Sequence, residues 1–160
     1  MMIGPTKQIM GEMNMKDISF SHVGLCVSDL DTALRFYCDG LGFEQGLRYD
    51  VGNECRDSLE VEGDVRLTSA FISRGNTNIE LLAYSSPGVQ GEPSKSRSQL
   101  GLTHLSLYVE SLEEAGARLV EFGGTCLSDT KTELPQANGG VLKLCFFADP
   151  DGTRVELMEM

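Results

Sequence analysis

The sequence predicts an α+β fold: two paired βαβββ modules forming a cupped mixed sheet, with helices on its outer face. Three observations carry this. Ser21-His22-Val23-Gly24-Leu25-Cys26-Val27 is echoed by Thr103-His104-Leu105-Ser106-Leu107-Tyr108-Val109. At the same offset of 82 positions, Leu30 falls on Leu112, Ala33 on Ala115 and Gly42 on Gly124. Each half then closes on a second echo, Thr77-Asn78-Ile79-Glu80-Leu81-Leu82 and Thr153-Arg154-Val155-Glu156-Leu157-Met158. In both halves, runs of period-two alternation surround one run of helical period.

The elements follow in order. Residues 18–27 alternate as a strand, with Val23, Leu25 and Val27 on one face and His22, Gly24 and Cys26 on the other. Ser28-Asp29 supplies an N-cap, and Leu30, Ala33, Leu34, Tyr37, Cys38 and Leu41 recur at helical spacing until Gly40 and Gly42 stop the run. Strands are expected over 43–49, 65–73 and 77–84, with a polar, acidic insert at 50–63 and a turn at Arg74-Gly75-Asn76. In the second half, 102–109 is a strand, Ser111 caps a helix over 112–122, and Gly123-Gly124 ends it. Strands follow at 125–128, 141–147 and 153–159, the last after the tight turn Asp149-Pro150-Asp151-Gly152.

This divides the chain into an N-terminal tail (1–16) and one domain over 17–160. Within the domain, module 1 is 17–84, a Ser/Gly/Pro-rich connection is 85–100, and module 2 is 101–160. The tail has no continuous apolar stretch and reads as a flexible or alternative-start extension rather than a signal peptide. A formal charge of −11 argues against nucleic acid or anionic membrane as partner, since both call for a basic footprint. The five cysteines are odd in number and form no C-x-x-C pair, which favours a reducing cytoplasm over a disulfide framework.

His22 and His104 are the only histidines. Each begins an equivalent strand, and each module ends on an equivalent glutamate, Glu80 and Glu156. Imidazole nitrogen and carboxylate oxygen together suit Zn, Ni, Co, Mn or Fe(II). Carboxylates in an apolar concavity are costly unless paired or coordinated. One divalent metal ion held by His22, Glu80, His104 and Glu156 is therefore expected. Alternation places Asn78, Tyr108 and Arg154 on the same faces, as pocket candidates. Lys95 and Arg97 are candidates for an anion clamp, though a solvated loop is the simpler reading. Cys26 has no basic partner nearby to activate it.

The same residues carry a resemblance. His22-Val23-Gly24-Leu25 with Val27-Ser28-Asp29-Leu30, then Arg35-Phe36-Tyr37 leading to Leu41-Gly42-Phe43, then Asp149-Pro150-Asp151-Gly152 before Val155-Glu156-Leu157, resemble the vicinal oxygen chelate superfamily. This group includes glyoxalase I, methylmalonyl-CoA epimerase, extradiol dioxygenases and bleomycin-binding proteins. The resemblance spans about 18–158 and is closest to glyoxalase I-like members, which carry an acid where Glu80 stands. It implies that His22, Glu80, His104 and Glu156 are metal ligands. It also implies a glyoxalase-like isomerase, epimerase or lyase acting on a small carbonyl compound by α-proton transfer through a metal-bound enediolate. Glu156 and Glu80 are then the catalytic carboxylates, Glu156 being the better candidate for the displaceable base. The alternatives are an extradiol-type dioxygenase, or a non-catalytic small-molecule binder of the resistance type. Two departures stand out: the insert at 50–63 is long for a compact glyoxalase I, and no pair of basic residues marks a glutathione site. Glu54, Glu60, Glu62 or Asp64 can supply a second base, although a solvated acidic loop is favoured. Paired modules leave sheet edges and an open concavity, so a homodimer is expected.

Overall fold

The computed structural model describes residues 18–160; the expected N-terminal tail lies outside the described residues. Two four-stranded mixed sheets form, one per module, as the alternation requires. In module 1 the strands are β1 (Val23–Cys26), β2 (Glu44–Val51), β3 (Arg66–Arg74) and β4 (Thr77–Ser86), ordered β1-β4-β3-β2. In module 2 they are β5 (Leu105–Val109), β6 (Thr125–Pro135), β7 (Val141–Ala148) and β8 (Arg154–Glu159), ordered β5-β8-β7-β6. In each sheet the first and last strands pair in parallel and the other pairs are antiparallel. This is the paired βαβββ, α+β architecture that the repeat predicts.

Helix α1 (Leu30–Leu34) starts where Asp29 accepts a hydrogen bond from the Thr32 amide at 2.8 Å. Helix α2 (Leu112–Glu121) starts where Ser111 Oγ accepts from the Glu114 amide. A second acceptor, Glu159 Oε2, takes the Leu112 amide at 2.8 Å, so two of the helix's free amides are satisfied. The long first helix expected from the pattern is instead one α-turn followed by a π-helical segment, Arg35–Gly40. The two helical segments meet here: a Cβ on Gly40 would lie 3.4 Å from Phe122 Cβ.

The apolar faces of both sheets and the helices share one core. Phe36, Tyr37, Leu81, Leu119, Val155 and Leu157 are fully buried in it. Each such side chain contributes about 1.5–3 kcal/mol by leaving water. A buried polar clasp also joins the modules. Tyr37 Oη donates to Asp149 Oδ2 at 2.8 Å, and Asp149 Oδ1 accepts from the Asp151 and Thr153 amides of its own turn. Burial pushes the Asp149 carboxyl above its ordinary range despite these donors, and pushes the Tyr37 phenol well up.

Three boundaries differ from the sequence reading. The strands bearing the histidines begin after them, at Val23 and Leu105, because pairing with β4 and β8 starts only at Ile79 and Val155. Strand β6 runs through Pro135 rather than stopping at Ser128: a register shift between Leu127 and Thr132 absorbs the polar residues between them. The Phe146 amide left over at the shift donates to Thr130 Oγ1 at 2.8 Å. Finally, the insert folds as an extension of β2 plus a 3-10 turn at Asn53–Cys55, pinned by Asn53 Oδ1 on the Val65 amide. No helix of the described residues is long and apolar enough to cross a membrane.

Candidate metal centre

Parallel pairing of β1 with β4 sets Gly24 against Glu80, and His22 lies two residues earlier on the same face. His22 Nε2 thereby stands 3.1 Å from Glu80 Oε2. In module 2, Ser106 is set against Glu156, and His104 Nε2 lies 3.6 Å from Glu156 Oε2. The surroundings repeat as well. Ser21 Oγ and Thr103 Oγ1 each lie 2.9 Å from the Nδ1 of the following histidine. A hydroxyl that accepts from Nδ1–H leaves the lone pair on Nε2, the atom aimed at the carboxylate. Phe71 and Phe146, the register partners of Glu80 and Glu156, set the two imidazoles edge-on at 5.1 and 5.2 Å.

The glutamates are held differently. Glu80 Oε1 accepts from Ser69 Oγ at 2.5 Å while Oε2 faces His22, so both oxygens are engaged. Glu156 Oε2 accepts from Ser106 at 2.7 Å and also faces His104, leaving Oε1 with no hydrogen bond among the described residues. About a third of each histidine side chain is exposed, 33% for His22 and 34% for His104, so the donors are open to solvent. Oriented imidazoles beside carboxylates, each steadied by a hydroxyl, are a donor set that fits a divalent ion.

The structure brings these donors together two by two. Among the described residues of one chain, no group of three or more His, Cys, Asp or Glu side chains is placed to hold an ion. His22 with Glu80 and His104 with Glu156 are thus separate half-sites, each on the open face of its own sheet. The helix-covered faces of the two sheets share the core, so the faces that bear the histidines and glutamates are the open ones.

The other candidates fall elsewhere. Asn78 Nδ2 donates to the Ser21 carbonyl at 3.0 Å and so steadies the segment leading into His22. Tyr108 projects from β5 with 65% of its surface exposed. Arg154 Nη1 donates to the Gly152 carbonyl at 2.7 Å and, with Cys26, Thr103 and His104, lines a cavity of about 370 Å³ under the linker. Lys95 pairs with Glu92, and Arg97 donates to the Ser94 and Thr103 carbonyls, so both serve the linker itself. Glu54 accepts from the Gly52 amide, which lowers its pKa, and Asp64 accepts from Asn53; both acids serve the insert's own turns. Burial raises the Cys26 thiol pKa, with Asp151 adding to the effect, the opposite of an activated nucleophile. Sequence reasoning missed Ser69, Phe71 and Phe146 as neighbours of the donors, since only strand register reveals them. It also passed over Ser21 and Thr103, although a hydroxyl residue before each histidine is written into the repeat.

Comparison with known proteins agrees with this architecture. A family model described as glyoxalase/bleomycin resistance protein/dioxygenase superfamily matches residues 19–157. The uncharacterized protein YaeR of Escherichia coli (strain K12) is 31% identical over 138 residues, covering 86% of this chain and 93% of that protein. A 2-epi-5-epi-valiolone epimerase of Actinomyces sp is 27% identical over 150 residues, covering 89% and 80%. A solved glyoxalase family protein from Bacillus cereus superposes with a TM-score of 0.77 at 20% identity, covering 94% of this chain and 97% of its own; this likeness speaks for the fold.

Proposed function

The chain belongs to the glyoxalase/bleomycin resistance protein/dioxygenase superfamily, and from that premise we propose that it is a metal-dependent isomerase, epimerase or lyase that moves a proton beside the carbonyl of a small molecule. The observation that carries the reading is the repeated half-site: imidazole Nε2 against carboxylate, with a hydroxyl on Nδ1 and another on the glutamate, built twice. A relative named as an epimerase is consistent with it.

Each half-site offers two donors, fewer than a catalytic ion takes from protein. A homodimer resolves this, with His22 and Glu80 of one copy and His104 and Glu156 of the other holding one of Zn, Ni, Co, Mn or Fe. The open sheet faces also carry Tyr49 and Tyr108, exposed side chains that a second copy would cover. When held there, such an ion would supply Lewis acidity, which lowers the pKa of the proton beside a carbonyl. Glu156 takes that hydrogen and returns it, because its Oε1 is uncommitted while both oxygens of Glu80 are engaged. Glu80 then acts as a fixed ligand. Five free cysteines accord with a reducing cytoplasm as the location.

Elemental analysis and mixing test the reading. Wild type is expected to hold about one equivalent of metal per chain, lost in the double variant His104→Ala/Glu156→Gln. Mixing His22→Ala/Glu80→Gln with His104→Ala/Glu156→Gln, each inactive alone, is expected to give mixed dimers with one intact site and about half the wild-type activity. A wild-type protein without metal after soaking would leave a ligand-binding protein instead. Iron with oxygen uptake would turn the reading to ring-cleaving oxygenation. Activity absent from the mixture but present in wild type would place all four donors in one chain.

A further inference from the structure

We propose that the cavity beneath the linker is an anion subsite of this centre, in which Arg97 and Arg154 hold a carboxylate or phosphate carried by the carbonyl substrate. This rests on the metal-centre reading above and names the class of molecule that the centre takes. In the chain Arg97 stands beside Lys95, but in the fold it joins Arg154 as a wall of one cavity of about 370 Å³, which His104 also lines. That volume is at the lower end for ligand pockets, with room for the tail of a small molecule.

Both guanidiniums are held in place and neither is neutralised. Arg97 donates to the Ser94 and Thr103 carbonyls, and Arg154 Nη1 donates to the Gly152 carbonyl at 2.7 Å. A carbonyl steadies a guanidinium without cancelling its charge, and each guanidinium has N–H donors left over. Among the described residues neither arginine forms an ion pair. Arg97 is exposed and Arg154 half-buried, so a solute can reach both. Two carboxylates share the walls, and both are engaged: Glu92 pairs with Lys95 at 2.5 Å, and Asp151 Oδ2 accepts from the Ser28 amide at 2.9 Å. With Lys95 balancing Glu92, the two guanidiniums outweigh Asp151. On a chain of formal charge −11 this is a local positive site, and the planar fork of an arginine matches the oxygens of a carboxylate or phosphate.

Position ties the cavity to the chemistry. Arg154 and Glu156 alternate on β8, opposite Ala148 and Phe146, so they share the open face about 7 Å apart along the strand. His104 belongs both to the cavity wall and to the half-site, where its Nε2 lies 3.6 Å from Glu156 Oε2. A molecule whose anionic group sits on Arg154 therefore presents to Glu156 a carbonyl a few bonds away.

Three hydroxamates with the same metal-binding head test this by calorimetry on the metal-loaded protein. Acetohydroxamic acid has no anionic tail, succinic monohydroxamic acid carries a carboxylate, and phosphoglycolohydroxamic acid carries a phosphate. At least one anionic probe is expected to bind about tenfold tighter than the neutral one, and the tighter of the two identifies the tail. Arg97→Gln and Arg154→Gln should each lose that advantage while binding acetohydroxamic acid as wild type does, which shows the centre intact. Anionic probes that bind wild type no tighter than acetohydroxamic acid, or that keep their advantage in either variant, would overturn the inference while sparing the metal-centre reading. A protein that takes up no metal, measured before any probe is added, would overturn both.

Discussion

The two half-sites contain the same donors and treat them differently. In module 1 the histidine and glutamate stand 3.1 Å apart, and the supporting hydroxyl comes from Ser69, 2% exposed on an inner strand. In module 2 the separation is 3.6 Å and support comes from exposed Ser106 on an edge strand, which shares one carboxylate oxygen with His104. The position equivalent to Ser106 in module 1 is Gly24, which has no hydroxyl to offer. Repetition thus supplies the same His/Glu pair twice, while divergence of their neighbours engages both oxygens of Glu80 and leaves Oε1 of Glu156 without a hydrogen bond among the described residues.

Exchanging the glutamates for glutamine tests that difference most severely. Glu156→Gln should lower turnover by about 10²–10⁴-fold, the range for loss of a general base, while retaining much of its metal. Glu80→Gln should instead show its main loss in metal content. Equal behaviour in kcat and bound metal would erase the distinction. The next effect lies in the supporting hydroxyls. Ser69→Ala is expected to weaken metal affinity by about 10–100-fold, as loss of a group that orients a ligand does. Ser106→Ala should cost clearly less, and competition with a chromophoric chelator would rank the two.

The repeated glycines sharpen the comparison in terms of stability. Gly124 is needed for room: a Cβ there would lie 2.7 Å from Phe36 Cε2 and 2.9 Å from the Leu119 carbonyl oxygen. Gly124→Ala should therefore cost about 1–3 kcal/mol through overpacking in denaturant unfolding. Its counterpart Gly42 is needed for its backbone, with φ +73°. Gly42→Ala should cost about 1–2 kcal/mol, mostly from the left-handed conformation. Similar in size is the clasp that joins the modules. Tyr37→Phe removes a buried donor from Asp149 and should cost about 1–3 kcal/mol.

Asp149 adds a pH test with a definite sign. Burial raises its folded pKa above that of the unfolded chain, so the native state binds more protons between the two values. Its contribution to stability is fullest below the ordinary carboxylate pKa and declines as pH rises through the raised one. Asp149→Asn should flatten that part of the stability profile, and an unchanged profile would assign the pH dependence to other groups.

Much of this was legible in the chain. The repeat located both histidines and both glutamates, and alternation put each pair on the face away from Val23, Leu25 and Val27. Capping by Asp29 and Ser111 was equally plain, since a short oxygen-bearing side chain before an apolar helical run meets a local need. The length of β6 was not, because the residues from Ser128 to Glu133 are all polar and only the facing strand shows where pairing resumes. The π-helical segment was hidden for a similar reason, lying where the second helix packs across the first.

The sequence by itself determined the modules, the residues of the two His/Glu pairs and the face each occupies. These depend on side-chain chemistry and on a two-residue period that any strand obeys. Only the tertiary structure decided that the donors stand in two pairs and that Glu80 is held by Ser69. It also decided that Tyr37 and Asp149 fasten one module to the other. Those outcomes depend on which strands become neighbours and which faces share the core, and both are settled by packing between residues far apart in the chain.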